Sequence, residues 1–216
     1  TTALVNSGLE FPLADSHGKG ALGGIGGTRN CDWWFTNEAV LIDTAGRYTT
    51  QDSHKVVDNS AWQAFLTLLK KYRPRRPVNG ALIAISVQDL MTQQPAQRSH
   101  SAKQIRERID ELQKAFGIQV PIYVLLTKCD LLAGFTDFFA NLTQPERQQI
   151  WGVTFNQKAG KQQDAQQGLA SLPAELDELV LRLNQRVLWR VHNERDPAKR
   201  ALIQGFPLQV EALKPL

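Results

Sequence analysis

The stretch Ala39-Val40-Leu41-Ile42-Asp43-Thr44-Ala45-Gly46-Arg47-Tyr48 sets the frame for the residues around it. Its four opening apolar residues suit a strand buried on both faces, as in a parallel sheet covered by helices. Asp43 closes that run, and in open α/β sheets ligands collect at the carboxyl ends of strands. A carboxylate there can hold a magnesium ion, usually through water. Three residues on, the Gly46 N–H can approach a terminal phosphate with no side chain in the way. The same spacing occurs in plain strand-to-turn segments, so a second anchor is needed.

Val120 to Asp130 supplies it. The residues read VPIYVLLTKCD, a second apolar run ending in Thr127-Lys128-Cys129-Asp130. This resembles the guanine-reading Asn/Thr-Lys-x-Asp motif of GTPases. One carboxylate can accept two parallel hydrogen bonds, from the guanine N1–H and the exocyclic amine. The Lys128 stem can lie along base and sugar while its ammonium stays solvated. Thr127 stands where asparagine is commoner, which changes the bond that braces the loop and leaves GTP or ATP open. Two strand-ended motifs in the correct order predict an α/β protein with a Ras-like P-loop NTPase fold: a mostly parallel sheet flanked by helices.

Length and composition agree. A chain of 216 residues, 42% hydrophobic and 21% charged, can build one large α/β domain with a small helical addition. The expected division is a nucleotide-binding core over 1–160, followed by a helix and an extended segment over 161–216. A net charge of +4 is too weak a basic field to indicate nucleic-acid binding, and KKYRPRRP (70–77) reads as a linker. Cys31 and Cys129 form no CxxC or Cys/His cluster, which excludes a disulfide framework and a zinc site of that pattern. Apolar runs are strand-sized, so any membrane attachment is expected through parts outside this chain.

The first residues, Thr1-Thr2-Ala3-Leu4-Val5, read as a helix already under way. In a P-loop protein the motif G-x-x-x-x-G-K-[ST] ends at such a point, and its hydroxyl ligates magnesium. Thr1 is therefore a candidate magnesium ligand beside Asp43, with Thr2 next to it at the nucleotide. The expectation follows that the central strand and phosphate loop lie upstream, and that residues 1–216 alone are poorly stable. Gly18 to Gly23 matches GxGxxG, but no strand precedes it and no clear helix follows, so it is rejected as a fingerprint. Thr28, at the end of this glycine-rich loop, is a candidate switch threonine for the terminal phosphate, or else a hydroxyl capping the loop.

Further along, residues 31–35 and 39–42 form a hairpin across Thr36-Asn37-Glu38, with Trp33 and Trp34 on opposite faces. Ser60 to Tyr72 is an amphipathic helix and Gly80 to Val87 a strand. Residues 88–98 are a polar loop, and Ser101 to Phe116 is a helix with Gly117 at its C′ position. Residues 134–141 form a short helix, 151–155 a strand and 156–168 a polar loop. A long helix carries Leu176 to Val191, and 202–208 is extended.

Taken together, GTRNCDWWFTNEAVLIDTAGRY, VPIYVLLTKCDLLAGFTDFF, WGVTF and GFPLQ resemble the cytoplasmic nucleotide-binding domain of the IcmF-like (TssM) family. These are large inner-membrane components of bacterial type VI secretion systems. The resemblance implies a cytoplasmic domain that binds magnesium and GTP or ATP. It also implies partners in the TssL and TssJ complex and in the baseplate. Arg47 departs from the glutamine that orients water in many GTPases; it is a candidate for stabilising transition-state charge, or a salt-bridged switch residue. Two functions follow: an NTPase whose switch loops serve assembly or energising of secretion, and a scaffold that holds partners without nucleotide.

Overall fold

The computed structural model describes residues 9–10, 31–44, 55–147, 149, 151–155 and 170–216. It divides into two units. The first is Thr1–Ile83 with Gln94–Leu125, the second Ala84–Gln93 with Leu126–Leu216.

In the first unit, strands β1 (Cys31–Phe35) and β2 (Val40–Thr44) form an antiparallel hairpin. The Thr36 hydroxyl organises its turn, accepting from the backbone N–H of Glu38 at 3.2 Å and of Ala39 at 2.8 Å. Trp33 pairs with Ile42 and is 46% exposed, whereas Trp34, on the other face, pairs with Leu41 and is half-buried. Helix α1 (Lys55–Tyr72) buries Trp62, Leu66 and Leu69, one stripe at i, i+4 and i+7. That stripe packs on Phe116 of helix α3 (Pro95–Phe116), with Ile42 and Leu112 at its margin. Tyr72, at the helix end, is exposed. Lys70 donates to the Ala115 carbonyl at 2.7 Å, fastening the last turns of the two helices. Gly117 ends α3 at φ 68°, the left-handed cap its position predicts.

The polar stretch 88–98 is helical except at Gln93 and Gln94, which corrects the loop expectation. Helix α2 (Val87–Thr92) begins at Ser86, whose hydroxyl accepts from the Asp89 N–H at 3.3 Å. Val87 alone buries its side chain, so too little apolar periodicity betrays the element. The start of α3 moves to Pro95, with the Gln97 side chain accepting from the Gln94 N–H at 2.9 Å.

Strands β3 (Ala81–Ser86) and β4 (Ile122–Thr127) pair with each other. Ala81 N–H donates to the Pro121 carbonyl at 2.9 Å, and Thr127 Oγ1 to the Ile85 carbonyl at 3.3 Å. Both chains advance between these contacts, so the pair is parallel. β4 is not buried on both faces as expected. Tyr123, Val124, Leu125 and Leu126 are each at least 42% exposed. Among the described residues β4 has no ladder partner besides β3, so the apolar faces a wider sheet would cover stay open.

The second unit continues from β4 through a 3₁₀ turn (Cys129–Leu131), α4 (Phe135–Phe139), α5 (Gln144–Arg147), α6 (Leu172–His192) and α7 (Pro197–Glu211). Its core gathers Val87, Leu132, Phe138, Leu183, Ile203 and Phe206. The expected strand at 151–155 does not form. Trp151 packs instead on Phe139 and Phe206, at centroid distances of 5.5 and 6.4 Å. The expected extended segment at 202–208 is part of α7. Its Gly205 and Pro207 read as breakers, but Ile203, Phe206, Pro207 and Val210 form a buried helical stripe that outweighs them. The Asp196 carboxylate caps α7, accepting from the Ala198 N–H at 2.9 Å.

Candidate functional site

The Thr127–Asp130 loop leaves β4 at its carboxyl end. Thr127 spends its hydroxyl on the Ile85 carbonyl, tying the loop's base to the neighbouring strand. Lys128 then sits at φ 58°, ψ 32°, the left-handed region, and among the described residues no other non-glycine has positive φ. A lysine has no local chemistry that favours this region, so the conformation is maintained by its surroundings. Leu131 N–H donates to the Lys128 carbonyl and Leu132 N–H to the Cys129 carbonyl, both at 3.0 Å. Leu132 is 3% exposed, and its burial anchors the loop in the core of the second unit. Lys128 and Asp130 stay exposed. Partial burial, reinforced by the Asp130 charge, raises the Cys129 thiol's pKa, so Cys129 stays protonated at neutral pH.

Lys128→Gly is expected to stabilise the protein by about 1 kcal/mol, because glycine enters this region without steric cost. Lys128→Val is expected to destabilise it by a similar amount, since a branched Cβ is worst there. Urea denaturation midpoints in the order Gly, Lys, Val check both.

Asp43 belongs to the first unit. It stands one residue from the end of β2, half-buried, directly across from Asp32 in the hairpin register. Residues opposed in an antiparallel pair project from one face, and like charges so placed repel. Both carboxylates, after burial itself, raise the pKa of the Cys31 thiol. The arrangement gives hard oxygen donors that suit magnesium. Among the described residues no cluster of three or more His, Cys, Asp and Glu is assembled. Thr1, Thr2, Thr28, Gly46 and Arg47 lie outside the described residues, as does the whole 156–168 loop region. Of the expected site, then, the structure describes Asp43 in one unit and Thr127, Lys128 and Asp130 in the other.

The IcmF-related N-terminal domain family matches residues 55–216. The chain belongs to the IcmF-related family. It is also 56% identical over 214 residues to the type VI secretion system component TssM1 of Pseudomonas aeruginosa strain PAO1. That match covers 99% of the chain and 19% of the relative, so the chain spans about a fifth of that protein's length. No solved structure matches it. Among the described residues of this IcmF-related domain, no helix is long and apolar enough to cross a membrane.

Sequence reasoning missed three residues of this IcmF-related domain. Asp32 was passed over because only the hairpin register brings it opposite Asp43. Gly134, at φ 84°, lets the segment after the loop touch the α7 backbone. Arg190 of α6 is a buried cation (3% exposed) that donates to the Phe138 and Asp137 carbonyls at 2.7 and 2.6 Å. The positive-φ glycine had a signal, its place directly before the apolar FTDFF. Arg190 had none.

Proposed function

We propose that this domain is a cytoplasmic nucleotide-binding module with a Ras-like P-loop NTPase fold, part of an inner-membrane component of a type VI secretion system. The observation that carries the reading is the strained, braced Thr127–Asp130 loop. A lysine in the left-handed region beside an exposed carboxylate, on a hydroxyl-tied strand end, is a conformation proteins keep at ligand sites. Asp130 would accept from the guanine N1–H and 2-amino group, and Lys128 would lie along the base. In the first unit Asp43, opposed by Asp32, offers carboxylates suited to magnesium, which when bound would neutralise phosphate charge. Thr1 and Thr2 with magnesium, and Thr28 and Gly46 with the terminal phosphate, complete the proposed set. Arg47 is the candidate for transition-state charge. Kinship with TssM1 supports the place in the secretion machinery, with TssL, TssJ and baseplate proteins as proposed partners.

The test titrates fluorescent GTP and ATP analogues against the full-length protein with magnesium, in wild type and Asp130→Ala. GTP is expected to bind at micromolar concentration, and loss of the two charge-assisted bonds to weaken it at least about a hundredfold. ATP binding as well as GTP, with Asp130→Ala silent, would discard the base-reading role. If neither nucleotide binds, the scaffold reading takes over. One observation favours that second reading: the exposed apolar run Tyr123 to Leu126, a surface of the kind that partners cover.

A further inference from the structure

Within the second unit, a cleft of about 260 Å³ opens between α4, α5 and α6. Phe138, Phe139 and Trp189 give it apolar walls, and Arg186 and Arg190, one helical turn apart on α6, also line it. Glu146 is the one carboxylate on that lining, and it is already engaged. It accepts from the Thr143 N–H at 2.8 Å and the Thr143 hydroxyl at 2.7 Å. Those bonds, aided by the Arg186 charge, hold Glu146 below the usual carboxylate range, so it stays ionised and turned to Thr143.

Arg190 is the telling residue. Its Nε and Nη2 satisfy the Phe138 and Asp137 carbonyls, but Nη1 is buried with no hydrogen-bond partner. No carboxylate among the described residues forms an ion pair with it. A buried guanidinium with one donor unmet and no paired carboxylate is costly, and a negative charge held in the cleft by the exposed Arg186 would offset its charge. The cavity lies below the range of pockets that enclose whole ligands, and far below what a nucleotide fills, but it suits one or two side chains.

We propose that this cleft docks an acidic segment of a partner polypeptide, one glutamate or aspartate carboxylate pairing with the exposed Arg186 beside the buried charge of Arg190 while an adjacent aromatic side chain lies on Phe139 and Trp189. The charge balance selects an anion, and the apolar walls select a polypeptide side chain over a free hydrated ion. The site is independent of nucleotide binding by the Thr127–Asp130 loop.

Fluorescence anisotropy of a labelled Ala-Glu-Phe-Glu-Ala peptide, titrated with the full-length protein, tests this. A Gln-for-Glu peptide of the same length serves as comparison, and free glutamate as competitor. The acidic peptide is expected to bind with a submillimolar Kd, and the Gln peptide at least about tenfold more weakly. Arg186→Glu, an exposed change, is expected to weaken the acidic peptide at least about tenfold. Arg182→Glu, on the same helix and exposed but not lining the cleft, is expected to leave it within about twofold. Free glutamate at the same concentration should not compete. Equal binding of the two peptides, no binding at about 1 mM, or indifference to Arg186→Glu would overturn the proposal. So would competition by free glutamate, which would make the cleft a small-anion site.

Discussion

Gly134→Ala is expected to lower stability by roughly 3–5 kcal/mol, the largest effect of an added methyl group among the described glycines. A Cβ at this position would stand 2.2 Å from the Leu202 carbonyl oxygen and 2.9 Å from its carbon. Both are backbone atoms, so no rotamer change relieves the clash, and the φ of 84° adds strain for any L side chain. Nor can α7 retreat cheaply, because Ile203 and Phe206, on the same helix, are wholly buried. The substitution pushes on the segment that Leu132 anchors, so it is expected to disturb the Thr127–Asp130 loop as well. Gly205→Ala is the contrasting control. Nothing lies within 4 Å of its Cβ position, and a helix-interior alanine there is expected to add about 0.5–1 kcal/mol. Denaturant unfolding of the two variants, side by side, checks the opposite signs.

Arg190→Met is expected to cost about 2–4 kcal/mol. Methionine keeps much of the apolar stem but leaves the Asp137 and Phe138 carbonyls without their donors. Both belong to the last turn of α4, where the Asp137 carbonyl otherwise accepts only a long bond of 3.5 Å from the Ala140 N–H, and the guanidinium also offsets the partial negative charge of that helix end. Removing a buried charge recovers part of its desolvation cost, which is why the upper figure stops short of the worst buried-pair losses. Arg190→Lys is expected to fall between, since an ammonium cannot present a planar fork to two carbonyls. Melting temperatures ranked Arg, Lys, Met would bear this out; a Met variant as stable as wild type would show that the bonds contribute nothing.

What could be read from the sequence was what short-range periodicity encodes. Trp62, Leu66 and Leu69 announced α1, Leu176 to Val191 announced α6, and Gly117 marked the end of α3. The β1–β2 hairpin followed from two apolar runs around a turn that Thr36 closes. Local rules misled where tertiary packing dominated. Gly205 and Pro207 signalled a break, but the buried face of α7 held the helix through them. Residues 151–155 had strand composition, and Trp151 found aromatic neighbours instead of a ladder. The candidate site divides the same way. Thr127, Lys128, Asp130 and Asp43 are legible because each follows an apolar run in a fixed spacing. The left-handed turn at Lys128, the Asp32 partner and the Arg190 clasp across 52 residues depend on three-dimensional proximity that no window contains.

The proposed nucleotide recognition depends on Asp130 reading a guanine base, and an exchange of specificity tests that more directly than a loss. Asparagine at position 130 can still accept from N1–H, but its amide would face the 2-amino group donor to donor, and would instead donate to the 2-oxo group of xanthine. In the full-length protein with magnesium, Asp130→Asn is expected to lose GTP affinity by about a hundredfold and to bind xanthosine triphosphate more tightly than GTP. Unchanged GTP binding in Asp130→Asn, or no binding of either nucleotide by either protein, would contradict it.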